Sequence, residues 1–181
     1  MSLKNTPAHY GTVMVAIHWL VAFVVFGLFA LGAWMVDLTY YSEWYKTGPD
    51  IHRSVGVLLF FLMLFRVVWK FANTGPRPVP SHKRWETVAA HAAHGVLYVL
   101  LFIAMVSGYL ISTADGSAIS VFGWFDVPSV TGQIKGMEDV AGSVHYWSTL
   151  GILILAVIHA LGALKHHFLD RDETLTRMLG H

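Results

Sequence analysis

The sequence predicts an all-α integral membrane protein, a four-helix bundle with both termini on the cytoplasmic side (N-in/C-in). Three observations carry this. Apolar runs of at least eighteen residues recur four times, and each can cross a hydrocarbon core about 30 Å thick. Of the 181 residues 55% are hydrophobic and only 13% charged, about half the charged fraction of a soluble domain. The twelve basic residues are also unevenly placed. Lys4, Arg66, Lys70, Arg77, Lys83, Arg84, Lys165, Arg171 and Arg177 lie in or beside the N-terminal lead, the second connection and the tail. Only Lys46, Arg53 and Lys135 lie on the other side. Cytoplasmic loops carry the excess of Lys and Arg, so nine against three sets the orientation.

Residues 1–181 read as a single transmembrane domain. A short polar lead precedes helix 1, expected over 13–36, a retained helix rather than a signal peptide because no small-residue cleavage site follows it. Tyr40, Tyr41, Trp44 and Tyr45 then mark a membrane–water interface. Gly48 and Pro49 precede helix 2, expected over 51–71. Three prolines in the connection 72–86 stop that helix. Helix 3 is expected over 87–112, followed by a long glycine-containing loop, and helix 4 over 144–169. No repeat or low-complexity tract is present. A net charge of +1, with the basic residues in loops, gives no reason to expect a nucleic-acid partner. The partners expected from composition are membrane lipids.

The last apolar run carries the most informative pattern. His145 and His159 are fourteen residues apart, nearly four helical turns, so they share one face about 21 Å apart along the axis. Ionisable groups at membrane depth are expensive and need partners. For neutral imidazoles in an apolar bundle the natural partner is haem iron, and two such levels suggest two stacked haems. The chain has no cysteine, so each haem is held without thioether links.

Depth sorts the remaining histidines. Only His52 and His145 lie towards the outer side, so they form the outer pair of axial ligands. At the inner level His159 is the fixed member, and its mate is His18 or one of His91 and His94, with His18 favoured by its depth of one turn. Arg66 lies fourteen residues after His52 and suits an inner propionate, or else snorkels to the surface. Arg53 beside His52 suits an outer propionate or an anion. His166, seven residues past His159, suits a propionate or a quinone. His91 and His94 divide between packing and a quinone or haem-edge role. Gly27, Gly56, Gly151 and Gly162 fit close approach of a macrocycle or of a helix. His9, His82, His167 and His181 read as interfacial.

The Ile17-His18-Trp19-Leu20 entry to helix 1, the His52 start of helix 2 and the tail from His159 through Lys165-His166-His167 to Met178 resemble bacterial cytochrome b561. The resemblance covers nearly the whole chain, and the C-terminal stretch is its most specific part. It implies a four-helix bundle enclosing two non-covalent b-type haems, with iron ligation by His18 with His159 and by His52 with His145. Some members of the family are superoxide:ubiquinone oxidoreductases. The implied activity is therefore a bacterial inner-membrane oxidoreductase taking electrons from an outer donor, superoxide or a redox partner protein, and reducing ubiquinone. An anionic donor would be drawn by Arg53 and Lys135, and quinone would lie near His166 and His91. The alternative is a haem-bearing membrane anchor of a dehydrogenase or hydrogenase. A divalent-metal transporter fits less well, since its path needs carboxylates and the four expected runs hold them only at edges such as Asp50 and Asp170.

Overall fold

The computed structural model describes residues 2–180, which leaves His181 outside the described residues. Its element order is α1 (Thr12–Met35), α2 (Trp44–Ala72), α3 (Arg84–Ser112), β1 (Ile119–Val121), β2 (Phe125–Val127), α4 (Met137–Lys165), a π-helical turn (His166–Asp170) and α5 (Thr176–Leu179). The chain is mostly helical. The first three long helices, and α4 together with the turn that extends it, are each long and apolar enough to cross a membrane. The shortest, α1, has 24 residues and rises about 36 Å. Large apolar side chains such as Phe61, Val99, Ile154 and Ile158 are exposed, as lipid-facing residues are and as a water-soluble surface rarely tolerates.

Three helices begin earlier than their apolar runs do, each for a local reason. At α3 the Glu86 side chain accepts the backbone N–H of Lys83 at 2.9 Å, half of a capping box that moves the start to Arg84. At α4 a positive-φ Gly136 precedes the helix, and Glu138 and Asp139 occupy its first turn, where the helix dipole favours carboxylates. At α2 the helix begins at Trp44 and runs through Pro49, which costs one intrahelical hydrogen bond near the end where such bonds are fewest.

The described chain forms two compact units, and every long helix contributes a segment to each. One unit comprises the chain up to Val21, Leu62–Val99 and the chain from Ile152 onward. Its polar periphery is stitched across long sequence separations. Trp19 donates its indole N–H to the Met178 carbonyl at 2.6 Å. The Arg77 amide donates to Pro7, and Arg177 donates to the Arg77 carbonyl. Lys165 bridges Glu86 and Asp170 at 2.8 and 2.6 Å. Burial works against ionising Asp172, yet hydrogen bonds from Thr174 and His82 outweigh it and hold this carboxyl below the usual carboxylate range. Its contribution to stability is therefore present above that range and is lost as pH falls through the depressed value.

The other unit comprises Ala22–Phe61 and Leu100–Gly151. It contains a feature that the apolar pattern gives no hint of, a β-hairpin inside the expected loop. Ile119 pairs with Val127 and Val121 with Phe125. The reversal uses Phe122 at φ 50° and Gly123 at φ 72°, closed by Trp124 N–H to the Val121 carbonyl at 2.9 Å. That conformation comes readily to glycine and seldom to phenylalanine. Ser54 of α2, 1% exposed, holds the hairpin in place. Its hydroxyl accepts the Phe122 N–H at 3.1 Å and donates to the Ser120 carbonyl at 3.4 Å.

The hairpin is thus tied to the helical turn that carries His52. Ser54→Ala removes the acceptor for a part-buried amide, which costs about 1–3 kcal/mol. It should accelerate amide exchange across residues 119–127 and leave exchange in the Trp19–Met178 region unchanged, as hydrogen-exchange mass spectrometry would read.

Candidate functional site

In the unit built from Ala22–Phe61 and Leu100–Gly151, α2 presents His52 and α4 presents His145 to each other. Their ring centroids are 6.1 Å apart and their planes 72° apart. Nδ1 of His145 lies 2.8 Å from the Ala104 carbonyl of α3. A carbonyl can only accept, so Nδ1 carries the proton and the lone pair is left on Nε2. This is how a metal-ligating histidine is commonly oriented. Ser107 stands 3.4 Å from the same nitrogen while donating to Ile103 and Ala104. Nδ1 of His52 is buried without a hydrogen-bond partner.

Two glycines hold these rings. A methyl group at Gly32 would meet Cε1 of His52 at 3.2 Å, and one at Gly108 would meet Cε1 and Nδ1 of His145 at 3.1 and 3.2 Å. Gly27, Gly56, Gly151 and Gly162 do not touch these rings. An added Cβ at Gly27, Gly56 or Gly162 meets nothing within 4 Å, and at Gly151 it meets only Leu100 at 3.4 Å.

In the unit containing Leu62–Val99 and the chain from Ile152 onward, three imidazoles gather. His159 of α4 lies 6.3 Å from His18 of α1 and 5.0 Å from His94 of α3. A metal bound from both sides at about 2 Å, with each nitrogen about 1.1 Å from its ring centre, sets the two centres about 6 Å apart. His18/His159 and His52/His145 both have that separation. His94/His159, at 5.0 Å, is shorter than that by about 1 Å.

Arg66 reaches this cluster from α2. It donates through Nε to the Tyr98 hydroxyl at 2.8 Å, and its Nη2 lies 3.3 Å from Nδ1 of His18. Lys70 sits 4.8 Å over the Tyr98 ring. Two cations at one imidazole cluster favour an anionic occupant, as a propionate is.

The other predicted residues fall in different settings. His91 is exposed on α3 and makes no hydrogen bond or ion pair among the described residues. His166 lies in the π-helical turn with its Nδ1 2.7 Å from Asp170, out of line for a hydrogen bond. Arg53 is paired with Asp50 one turn earlier, which offsets part of the positive field expected there. Lys135 is exposed in the segment before α4. His82, expected to be merely interfacial, is engaged with Asp172 and Thr174 and stacks on His166 at 4.4 Å.

One spacing would have pointed to Gly32 and Gly108. Every long helix carries a pair at a fourteen-residue interval: His18 and Gly32, His52 and Arg66, His94 and Gly108, His145 and His159. Glycine carries no chemistry of its own, so only the second and fourth pairs stand out in the sequence.

A family model described as Prokaryotic cytochrome b561 matches residues 9–181. The chain belongs to that family. As a cytochrome b561 it is a membrane electron-transfer protein, and the family brings b-type haem. It is 50% identical over 180 residues to "Cytochrome b561 homolog 2" of Escherichia coli (strain K12), covering 99% of this chain and 96% of the relative. It is 28% identical over 176 residues to "Probable superoxide oxidase CybB" of Yersinia pestis, covering 94% and 95%. It is 25% identical over 177 residues to "Cytochrome b562" of Cereibacter sphaeroides, covering 94% of each. The paired imidazoles, the proton fixed on Nδ1 of His145 and the two ring-bearing glycines fit what b-type haem needs from a cytochrome b561.

Adding volume at Gly108 tests this packing. Gly108→Val should displace the His145 ring and lower haem occupancy or shift the reduced α-band, and an unchanged reduced-minus-oxidised spectrum would contradict it.

Proposed function

We propose that this cytochrome b561 is a di-haem superoxide:ubiquinone oxidoreductase of the bacterial inner membrane. The observation that carries the reading is the presence of two imidazole pairs, His18/His159 and His52/His145, at bis-imidazole spacing in two separate units. Each pair would hold one non-covalent haem b, whose chemistry is one-electron exchange. Both termini are cytoplasmic, on the strength of the nine-to-three division of basic residues.

The residues around each pair have separate tasks. The Ala104 carbonyl keeps His145 in the tautomer whose Nε2 can ligate. Arg66 offers Nη2 to Nδ1 of His18, and binding His18 through Nε2 requires that nitrogen to be free of its proton. A propionate accepting from Arg66 would release His18 to protonate on Nδ1 instead. His94 is a neighbour of the inner pair rather than an axial ligand, because of its shorter separation from His159.

The overall reaction balances as two superoxide anions, one quinone and two protons giving two dioxygen molecules and one quinol. Superoxide as donor is supported by the relative named a probable superoxide oxidase and by the cations Arg53 and Lys135. Quinone as acceptor is supported by Arg66, whose Nη2 reaches His18, by His166, seven residues after His159, and by His91, three residues before His94. A cation in a low-dielectric rim raises the local concentration of small anions, with rates that fall as salt rises.

Stopped-flow mixing of the purified protein with superoxide, with and without ubiquinone, tests donor and acceptor together. Haem reduction should be fast, and turnover should require quinone. Arg53→Gln and Lys135→Gln should each slow it by about 3- to 10-fold and flatten its salt dependence. Asp50→Asn, which frees Arg53, should speed it. No haem reduction by superoxide in the wild type would refute the donor assignment.

A further inference from the structure

We propose that His82, His166 and Asp172 form a binding site for one divalent transition-metal ion of the zinc type, separate from the haem ligands. Nothing in the electron-transfer reading requires this site, and it stands on its own geometry.

The ligand atoms of these three residues lie within 4.8 Å of one another. Nε2 of His82 is 2.9 Å from Oδ2 of Asp172, and Nδ1 of His166 is 3.3 Å from the same oxygen. Donors around a metal at about 2.0–2.2 Å sit at such mutual distances, roughly 3–3.5 Å along the edges of a tetrahedron. The side chains are largely withdrawn from solvent, 15%, 15% and 5% exposed. Nδ1 of His166 is buried and has no hydrogen-bond partner among the described residues. The Asp170 and Asp172 oxygens stand 2.7 and 3.3 Å from it without a hydrogen bond, an arrangement that a cation between them would satisfy.

Local backbone geometry builds the site. The π-helical turn His166–Asp170 ends α4, and such turns recur at functional positions. Arg171 then adopts φ 54°, and the Asp172 amide returns to the His166 carbonyl at 3.1 Å. This reversal sets the Asp172 carboxylate against the ring six residues before it. His82 comes from the connection between α2 and α3, and its ring stacks on His166 at 4.4 Å with Thr174 3.1 Å from its Nε2.

Two imidazole nitrogens and a carboxylate oxygen select the class of ion. Calcium and magnesium favour all-oxygen sites, whereas zinc, nickel and copper(II) take nitrogen readily. A second triad, Glu86, His166 and Asp170, is also close enough to hold an ion. There the Lys165 ammonium already bridges both carboxylates, so the cationic position is taken. The metal takes Nδ1 of His166, and the quinone contact proposed above falls to Nε2. Bound metal would clamp the connection between α2 and α3 to the C-terminal segment.

Equilibrium dialysis of the untagged, haem-loaded protein against Zn2+ at neutral pH tests the proposal. One Zn2+ per chain is expected at micromolar free zinc, together with a rise in the thermal unfolding temperature. Loss of an outer-shell partner alone costs about 10–100-fold in metal affinity, so His82→Ala and Asp172→Asn should each weaken binding by at least about tenfold. Glu86→Gln should leave binding unchanged, with the haem spectrum constant throughout. Zinc K-edge absorption on the wild type gives an answer even where a variant loses haem: two imidazoles and oxygen are expected in the first shell. Absence of micromolar uptake by the wild type, equal affinity in His82→Ala and Asp172→Asn, weakening confined to Glu86→Gln, or a shell without two imidazoles would each overturn the site.

Discussion

Imidazoles carried on apolar, membrane-length helices must be matched, because an unpaired polar ring in a low-dielectric interior costs more than local packing returns. That constraint shapes both units of this protein. In one, His52 and His145 face each other across glycine-lined gaps, and the Ala104 carbonyl fixes which nitrogen of His145 is free. In the other, His18, His94 and His159 converge with Arg66, Lys70 and Tyr98. Both arrangements draw one residue from each of α1 to α4 at the same fourteen-residue interval, so the helices could not shift register without separating the pairs.

The polar chemistry outside the helices serves these pairs at one remove. Ser54 ties the hairpin to the turn of α2 that carries His52. The Asp50–Arg53 pair tempers the positive field that an anionic donor would meet. In the unit that holds both termini's segments, Arg77 to Pro7, Trp19 to Met178, Arg177 to Arg77 and His82 to Asp172 knit the lead, α1, the α2–α3 connection and the tail together. Hydrogen bonds that join residues 90 to 159 positions apart cost chain entropy, and they form here because the long helices already bring their ends together.

Much of this was legible in the chain because membrane spans and ionisable residues within them are strong signals. Four spans follow from run length, and depth and spacing set His52 with His145; at the inner level they leave His18, His91 and His94 as mates for His159, with His18 favoured by depth. Helix starts were less legible, since Glu86, Glu138 and Asp139 extend α3 and α4 through capping and dipole effects outside the apolar pattern. The hairpin has strands of three residues, too short for alternation to register. Gly32 and Gly108 carry no chemical signal in the sequence because their role is the volume they lack. His82 looked interfacial because its partners lie about 90 residues away.

The proposal that the His18/His159 and His52/His145 pairs hold one haem each is tested most directly by haem stoichiometry. Pyridine haemochrome analysis against protein concentration should give two haems per chain in the wild type. It should give one in His145→Ala and one in His159→Ala, with a different set of spectral bands lost in each, and two in His94→Ala. One haem in the wild type, or loss of a haem in His94→Ala with none lost in His18→Ala, would contradict it.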